Sequence, residues 1–196
     1  MFSVKILNTV VSVNIGFLAV IALITLNGGD YSGLSFAACM IHEAGHIAAV
    51  HLSGSGVKRI SFGIKGISMY REEGMLISPS ADIMILISGP AANLFTALMF
   101  FLFSRETGYF FIINIILGIF NLLPFSVLDG GAAADIFFEY HFTGGKCRIF
   151  LLVFNILLCF VLITFLRRMP FFNVSFYITG IFLCAAEIKK LSEIID

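Results

Sequence analysis

The sequence predicts an all-α membrane protein with about six transmembrane helices and a small β-hairpin or sheet between the second and third helices. Three observations support this fold class. Hydrophobic residues make up 59% of the 196 residues, compared with roughly 45–50% in soluble globular proteins. Charged residues make up only 12%, too few to cover the surface of a soluble domain. Apolar stretches of the roughly 20 residues needed to cross a hydrocarbon core recur along the chain.

The six predicted spans are separated by more polar segments. The first is not predicted to be a secretory signal, because its apolar run is too long and the Asn-Gly-Gly-Asp sequence at 27–30 does not resemble a cleavage site. We therefore interpret it as a permanent anchor, and residues 1–196 as one membrane domain. The spans cover residues 4–26, 34–52, 81–103, 108–123, 149–166 and 171–186.

The long connection between the second and third spans predicts β-structure. Residues 57–64 alternate roughly between apolar and polar, Lys65 and Gly66 mark a turn, and apolar residues resume at Ile67 and Met69. Alternation bounded by glycine is typical of a hairpin. A disordered loop is the alternative, and the frequency of β-branched and apolar residues argues against it.

The charged residues predict orientation and exclude one class of partner. Lys and Arg near span ends stay preferentially in the cytoplasm. With six spans, the side holding both termini carries nine of the 12 Lys and Arg residues, and the opposite side carries three. We therefore predict cytoplasmic termini and an active-site side that faces the cytoplasm. Because the 12 basic residues are balanced by 12 acidic ones, nucleic acid is not an expected partner.

A His-Glu-x-x-His motif lies inside the second predicted span, formed by His42, Glu43 and His46. Residues four apart on a helix share a face, about 6 Å apart along the axis, so both imidazoles can bind one zinc ion. The glutamate can then take a proton from water that the metal activates. The alternative is a pair of core histidines beside a buried glutamate. It is disfavoured because three ionisable groups in a bilayer need a compensating partner, which a divalent cation supplies.

A hydrolytic zinc with two histidine ligands needs a third protein ligand. Four acids lie in or near the spans at a suitable depth: Asp82, Asp129, Asp135 and Glu187. Asp82 is explained by the first turn of a helix, where the helix dipole favours a carboxylate. Glu187 is interpreted as a solvated partner of the lysines that follow it. Asp135 stays open as an alternative ligand.

Asp129 is the preferred third ligand because the chain before it is broken. Pro124 removes a helix hydrogen bond, and Gly130 and Gly131 permit a sharp change of direction. Irregular backbone at membrane depth is tolerated only where it is buried in protein or lines a wet cavity. Because the fourth span runs inward like the second, Asp129 is expected at the depth of the histidines.

Together these motifs resemble those of the site-2 protease family of intramembrane zinc metalloproteases. The resemblance rests on His-Glu-x-x-His at 42–46, Gly-Pro-x-x-Asn at 89–93 and Asn-x-x-Pro-x4-Asp-Gly at 121–130. It covers about residues 34–134, and the six-span outline is similar to the branch that contains stage IV sporulation protein FB. Many relatives carry a PDZ domain or a cystathionine-synthase-type regulatory domain, and we expect neither here.

The resemblance implies a zinc metalloendopeptidase that hydrolyses a peptide bond in or near the transmembrane helix of a membrane-bound substrate. It implies that His42, His46 and Asp129 bind one zinc ion and that Glu43 is the catalytic base. It also places two amide side chains near the substrate: Asn93 and Asn121. The implied substrate is a single-span protein, such as a membrane-bound regulatory pro-protein, and a regulatory membrane partner is expected.

A function of another class, a metal transporter or metal-sensing membrane protein, would use the same histidines without hydrolysis. Transport needs a polar pathway through both halves of the bilayer. Here the acids and histidines cluster in one half, and the sixth span offers almost no ligand in the other. Glu43 has no necessary role in transport, so the sequence favours the protease.

Overall fold

The structure of the chain, a computed structural model, describes residues 2–6, 9–13, 31–54, 57–63, 66–71, 78–103, 108–142, 146–166 and 174–195. These ranges are mostly helical. The strands are β1 (Phe2–Ile6), β2 (Thr9–Val13), β3 (Val57–Gly63) and β4 (Gly66–Arg71). The helices are α1 (Ser32–Leu52), α2 (Pro79–Phe103), α3 (Tyr109–Asn121), α4 (Asp129–His141), α5 (Lys146–Leu166) and α6 (Val174–Ile195). The chain divides into two compact units, Met1–Ile119 and Phe120–Asp196.

In the first unit, the four strands form one sheet in the order β1, β2, β3, β4. β1 and β2 pair antiparallel, β2 and β3 pair parallel, and β3 and β4 pair antiparallel. The β3–β4 pair lies in the connection where alternating residues predict strands, with Gly63 opposite Gly66. The neighbour of β3 on its other side is β2, which comes from the N-terminal segment.

The N-terminal segment corrects the predicted first span, 4–26. Its first part, residues 4–13, contains β1 and β2 instead of a transmembrane helix, and residues 14–26 lie outside the described residues. The physical reason is that Thr9–Val13 is rich in β-branched side chains, whose restricted χ1 favours a strand. The backbone of β2 then pairs with both β1 and β3. An apolar window alone does not distinguish such strands from a helix.

The other five predicted spans each lie on a helix: α1, α2, α3, α5 and α6. No predicted span covers α4. Among the described residues, α1 and α2 are long and apolar enough to cross a membrane, and Tyr109–Asn121 and Ile149–Leu158 are shorter apolar helical stretches. The total of six spans, their orientation and the single functional domain stay predictions.

A close helix crossing joins α1 and α2 in the first unit. A Cβ atom on Gly45 would lie 2.5 Å from the carbonyl oxygen of Ser88 and 2.8 Å from the Cβ of Ala92. Gly45 therefore lets the two backbones approach, as small residues do where membrane helices pack. The buried side of α1 consists of residues spaced by four: Ala38, His42, His46 and Val50.

In the second unit, α5 packs against α6. The hydrophobic core centres on Phe125, which is fully buried in the turn between α3 and α4, and on Leu183 of α6. The segment before Asp129 is therefore packed irregular backbone, as Pro124 predicts, whereas Gly130 and Gly131 lie in the first turn of α4 and not in a change of direction. Partly buried hydrophobic residues complete this core: Phe120, Leu123, Leu128, Leu158 and Cys184.

Candidate metal centre

Both histidines of the motif lie on the buried face of α1. His42 is 8% exposed and His46 is 7% exposed, and Glu43 is half-buried. The 3.6-residue helical repeat explains this arrangement, because a spacing of four returns nearly to the same face. The structure therefore confirms that the two imidazoles share one face of a helix.

The hydrogen bonds of the two rings determine which nitrogens can bind a metal. His42 Nδ1 donates to Asn93 Oδ1 at 2.8 Å, and His46 Nδ1 donates to the backbone oxygen of Ile85 at 2.8 Å. Carbonyl oxygens only accept hydrogen bonds, so each Nδ1 carries the proton. In the neutral rings, both Nε2 atoms then present lone pairs, which is the form that binds zinc.

The two Nε2 atoms lie 3.2 Å apart. Because both neutral rings carry their proton on Nδ1, two unprotonated nitrogens lie close together, an arrangement that a cation stabilises. Two nitrogens that each lie about 2.0–2.1 Å from one tetrahedral zinc are separated by about 3.3 Å. The observed separation and the donor type therefore fit a shared zinc ion.

One face of α2 holds both imidazoles through residues spaced by four. Ile85 accepts the hydrogen bond from His46, and Asn93 accepts the one from His42. Between them, Gly89 lies against the His46 ring: a Cβ atom there would be 2.3 Å from Nε2 and 2.6 Å from Cε1. Helix α2 thus orients both histidines. The Gly-Pro-x-x-Asn element contacts them through Gly89 and Asn93, and Ile85, one turn before this element, accepts the hydrogen bond from His46.

Replacing Gly89 by Ala is expected to weaken zinc binding by at least about 10-fold, the lower end of the effect of disturbing a ligand's supporting residues. The added methyl group would collide with the Nε2 atom of His46 and force the ring to move. Equilibrium competition with a chelator measures the affinity. Gly33→Ala on α1 is the matched control, since a Cβ there meets no atom of the described residues within 4 Å. Equal affinities in the two variants would contradict the close fit of Gly89 to the ring.

Asn93 is fully buried and its amide is engaged within the first unit. Besides accepting from His42, it donates through Nδ2 to the backbone oxygen of Ala38 at 2.9 Å and to Asn114 Oδ1 at 2.8 Å. The predicted contact of Asn93 with substrate is untested and stays a prediction. The observed contacts give this residue a positioning role, since they fix the orientation and protonation of the His42 ring.

Asn114 extends this network and is missed by the sequence analysis. It is fully buried on α3 and donates through Nδ2 to the backbone oxygen of Phe110 at 2.8 Å. The sequence feature that could have identified Asn114 is an amide within an otherwise apolar helix, because polar groups at such positions need specific partners. The Ile85 carbonyl has no comparable sequence signal, since every residue has one.

The candidate third ligands lie mainly in the second unit. Asp129 is the first residue of α4 and is half-buried. Asp135, six residues later, forms an ion pair with Lys190 of α6. A separation of six residues rotates a side chain by about 240° around the helix axis, so the two carboxylates lie on different faces of α4. In the first unit, Asp82 lies in the first turn of α2, as the helix-dipole argument predicts.

Glu187 corrects a prediction. The sequence suggests a solvated carboxylate beside Lys189 and Lys190, but the side chain is fully buried. Its Oε1 accepts a hydrogen bond from the backbone N–H of Ser126 at 2.6 Å. The reason is tertiary: α6 presents this residue to the turn before α4, while Lys190 pairs with Asp135.

Comparison with solved structures finds the site-2 protease from Methanocaldococcus jannaschii. The TM-score is 0.61 and the sequence identity is 20%, over 97% of this chain and 95% of that chain. The chain shares the fold of this site-2 protease. No protein-family model matches the chain, and no curated protein matches it.

The side chains His42, His46 and Asp129 make up a set that could hold a metal ion. Two imidazole nitrogens and one carboxylate oxygen are the donor set of many catalytic zinc sites, which keep a further position for water or substrate. Glu43 follows His42 on α1, so an acid lies next in sequence to one donor of this set. The predicted contact of Asn121 with substrate stays a prediction. So does the similarity to the branch that contains stage IV sporulation protein FB.

Proposed function

We propose that this chain is an intramembrane zinc metalloprotease that hydrolyses a peptide bond in or near the transmembrane helix of a membrane-bound protein. One observation carries the proposal: two buried imidazoles of a His-Glu-x-x-His helix have their Nδ1 atoms engaged and their Nε2 atoms 3.2 Å apart. The fold shared with a site-2 protease supports it.

Each residue of the site has a stated chemical role in this proposal. His42, His46 and Asp129 would hold one zinc ion, which when bound supplies a Lewis acid that acidifies water and polarises a carbonyl group. Glu43 accepts the proton of the attacking water and later donates it to the leaving amine nitrogen. Asn93 and the Ile85 carbonyl hold the imidazoles so that Nε2 stays unprotonated.

The substrate must expose its backbone before it can be cleaved. A transmembrane helix satisfies its own backbone hydrogen bonds, so its carbonyl groups are shielded until the helix unwinds locally. β4 lies at one end of the sheet, and an unwound segment could add to such an edge as a further strand. Asn121 would then hydrogen-bond the freed backbone, since an amide both donates and accepts.

We propose a multi-pass location in the cell membrane, with both termini and the site on the cytoplasmic side. Among the described residues, two helices are both long and apolar enough to cross a membrane, and they support this location together with the distribution of basic residues. The proposed substrate is a single-span protein, such as a membrane-bound regulatory pro-protein, and a second membrane protein is proposed to regulate cleavage.

Metal removal tests the proposal directly. The purified protein is expected to contain one zinc per chain and, in proteoliposomes, to cleave a single-span model substrate. A chelator should abolish cleavage and added Zn²⁺ should restore it, whereas Mg²⁺ should not, because Mg²⁺ prefers oxygen ligands. Elemental analysis and gel-based cleavage are the readouts. Protein without stoichiometric zinc would contradict the proposal, and metal flux into the vesicles without cleavage would favour a transporter.

A further inference from the structure

The turn that precedes Asp129 is packed directly against the first turn of α4. A Cβ atom on Gly131 would lie 1.9 Å from the carbonyl oxygen of Phe125, and one on Gly130 would lie 2.3 Å from that of Leu122. No side chain fits between these two backbones. The position of the turn therefore determines the position of the residue that begins α4, which is Asp129.

Three consecutive residues of this turn are held by α5 and α6. Asn155 of α5 donates through Nδ2 to the backbone oxygen of Pro124 at 2.5 Å. Phe125 is fully buried in the core that includes Leu183 of α6. The backbone N–H of Ser126 donates to Glu187 Oε1 at 2.6 Å. This segment has no regular secondary structure. Its backbone is fixed by the donor Asn155 and the acceptor Glu187, and its Phe125 side chain is packed in the core.

Packing alone does not explain why these positions are polar. Asn155 is 2% exposed and Glu187 is fully buried. Each has one buried oxygen without a hydrogen-bond partner among the described residues, Asn155 Oδ1 and Glu187 Oε2. A buried polar atom without a partner destabilises a fold, and apolar residues of similar volume are often better tolerated. What the two side chains contribute is the placement of the Pro124 carbonyl and the Ser126 amide.

We propose that Glu187 and Asn155 are positioning residues for Asp129, acting through the turn at 124–126. This inference rests on the proposed function, because it concerns the third zinc ligand. Neither residue is proposed to touch zinc or substrate. Leu183 and Glu187 are four apart on α6, so this helix presents an apolar contact and an acceptor to the turn from the same face.

Zinc affinity, measured on the full chain by chelator competition, tests the proposal without relying on cleavage. Asn155→Leu and Glu187→Leu are each expected to weaken zinc binding by about 10- to 100-fold, as loss of supporting contacts does elsewhere. Glu187→Gln keeps an oxygen that accepts from Ser126, so its affinity should lie closer to the parent protein than to the Leu variant. Thermal unfolding of every variant is recorded in parallel.

The control separates positioning from general loss of stability. Leu152→Ala removes a 2% exposed side chain of α5 that makes no described contact with the turn, so it should lower the unfolding temperature and leave zinc affinity unchanged. If Glu187→Leu does not fold, the zinc affinity of Asn155→Leu decides the question. The oxygen that this variant loses has no hydrogen-bond partner among the described residues, so its removal breaks no hydrogen bond of that atom. The inference would be overturned if both Leu variants bound zinc as tightly as the parent protein. It would also be overturned if Glu187→Gln and Glu187→Leu lost the same amount of zinc affinity. A parent protein without zinc would instead overturn the proposed function.

Discussion

Replacing Glu43 by Gln is expected to leave zinc in place and to lower the rate of substrate cleavage by about 10²- to 10⁴-fold, the usual contribution of a general acid–base group. Gln is similar in size to Glu but cannot accept the proton of the attacking water. The buried imidazoles are held by Asn93 and the Ile85 carbonyl, and neither of these two hydrogen bonds involves the Glu43 carboxylate. Zinc content and single-turnover cleavage are measured on the same preparation.

Glu139→Gln is the matched control for Glu43→Gln, since it removes the same charge at an exposed position of α4. It should retain both zinc and activity. Unchanged cleavage in Glu43→Gln would remove the base assignment. Loss of zinc together with cleavage would also contradict the expected result, because it would show that the carboxylate supports the metal and not the proton transfer.

Replacing Asp129 by Asn is expected to lower zinc affinity by more than the about 10- to 100-fold typical of an outer supporting residue, because a direct ligand is lost. Asp135→Asn makes the same chemical change on the same helix. Since the Asp135 carboxylate is ion-paired with Lys190, this variant should keep zinc and lose at most some stability, because a partly exposed ion pair contributes little.

The reverse pattern, zinc lost in Asp135→Asn and kept in Asp129→Asn, would move the third ligand to Asp135. Zinc kept at the parent level in both variants would mean that the two histidines bind the metal with a ligand from elsewhere in the chain. Elemental analysis after dialysis against a weak chelator distinguishes these outcomes for both proteins in one experiment.

Helix positions could be predicted well from apolar length. The predicted span 81–103 differs by two residues from α2, Pro79–Phe103, and the span 34–52 differs by two residues from α1, Ser32–Leu52. Long apolar runs are a local signal, so the positions of these helices can be predicted without knowledge of the fold. The N-terminal strands could not be predicted in this way, because β2 takes a place in the sheet only when β3, about 50 residues later, supplies a partner.

The site shows the same division between local and distant information. The His-Glu-x-x-His spacing is sufficient to predict that both imidazoles share one face of α1, and the structure confirms it. The second amide of the network, Asn114, and the buried carboxylate of Glu187 are not evident from spacing. Asn114 contacts Asn93, 21 positions away, and Glu187 contacts Ser126, 61 positions away. The periodicity of a single helix cannot predict contacts over such distances in the chain.

From the sequence alone follow the apolar character, five of the six described helices and the shared helical face of His42 and His46, because composition and a 3.6-residue repeat act over one or two turns. The tertiary structure decides the proton positions on His42 and His46, since these depend on acceptors that α2 brings to them. It also decides that Glu187 is buried and holds the turn before Asp129, because burial is a property of packed helices and not of neighbouring lysines in the chain.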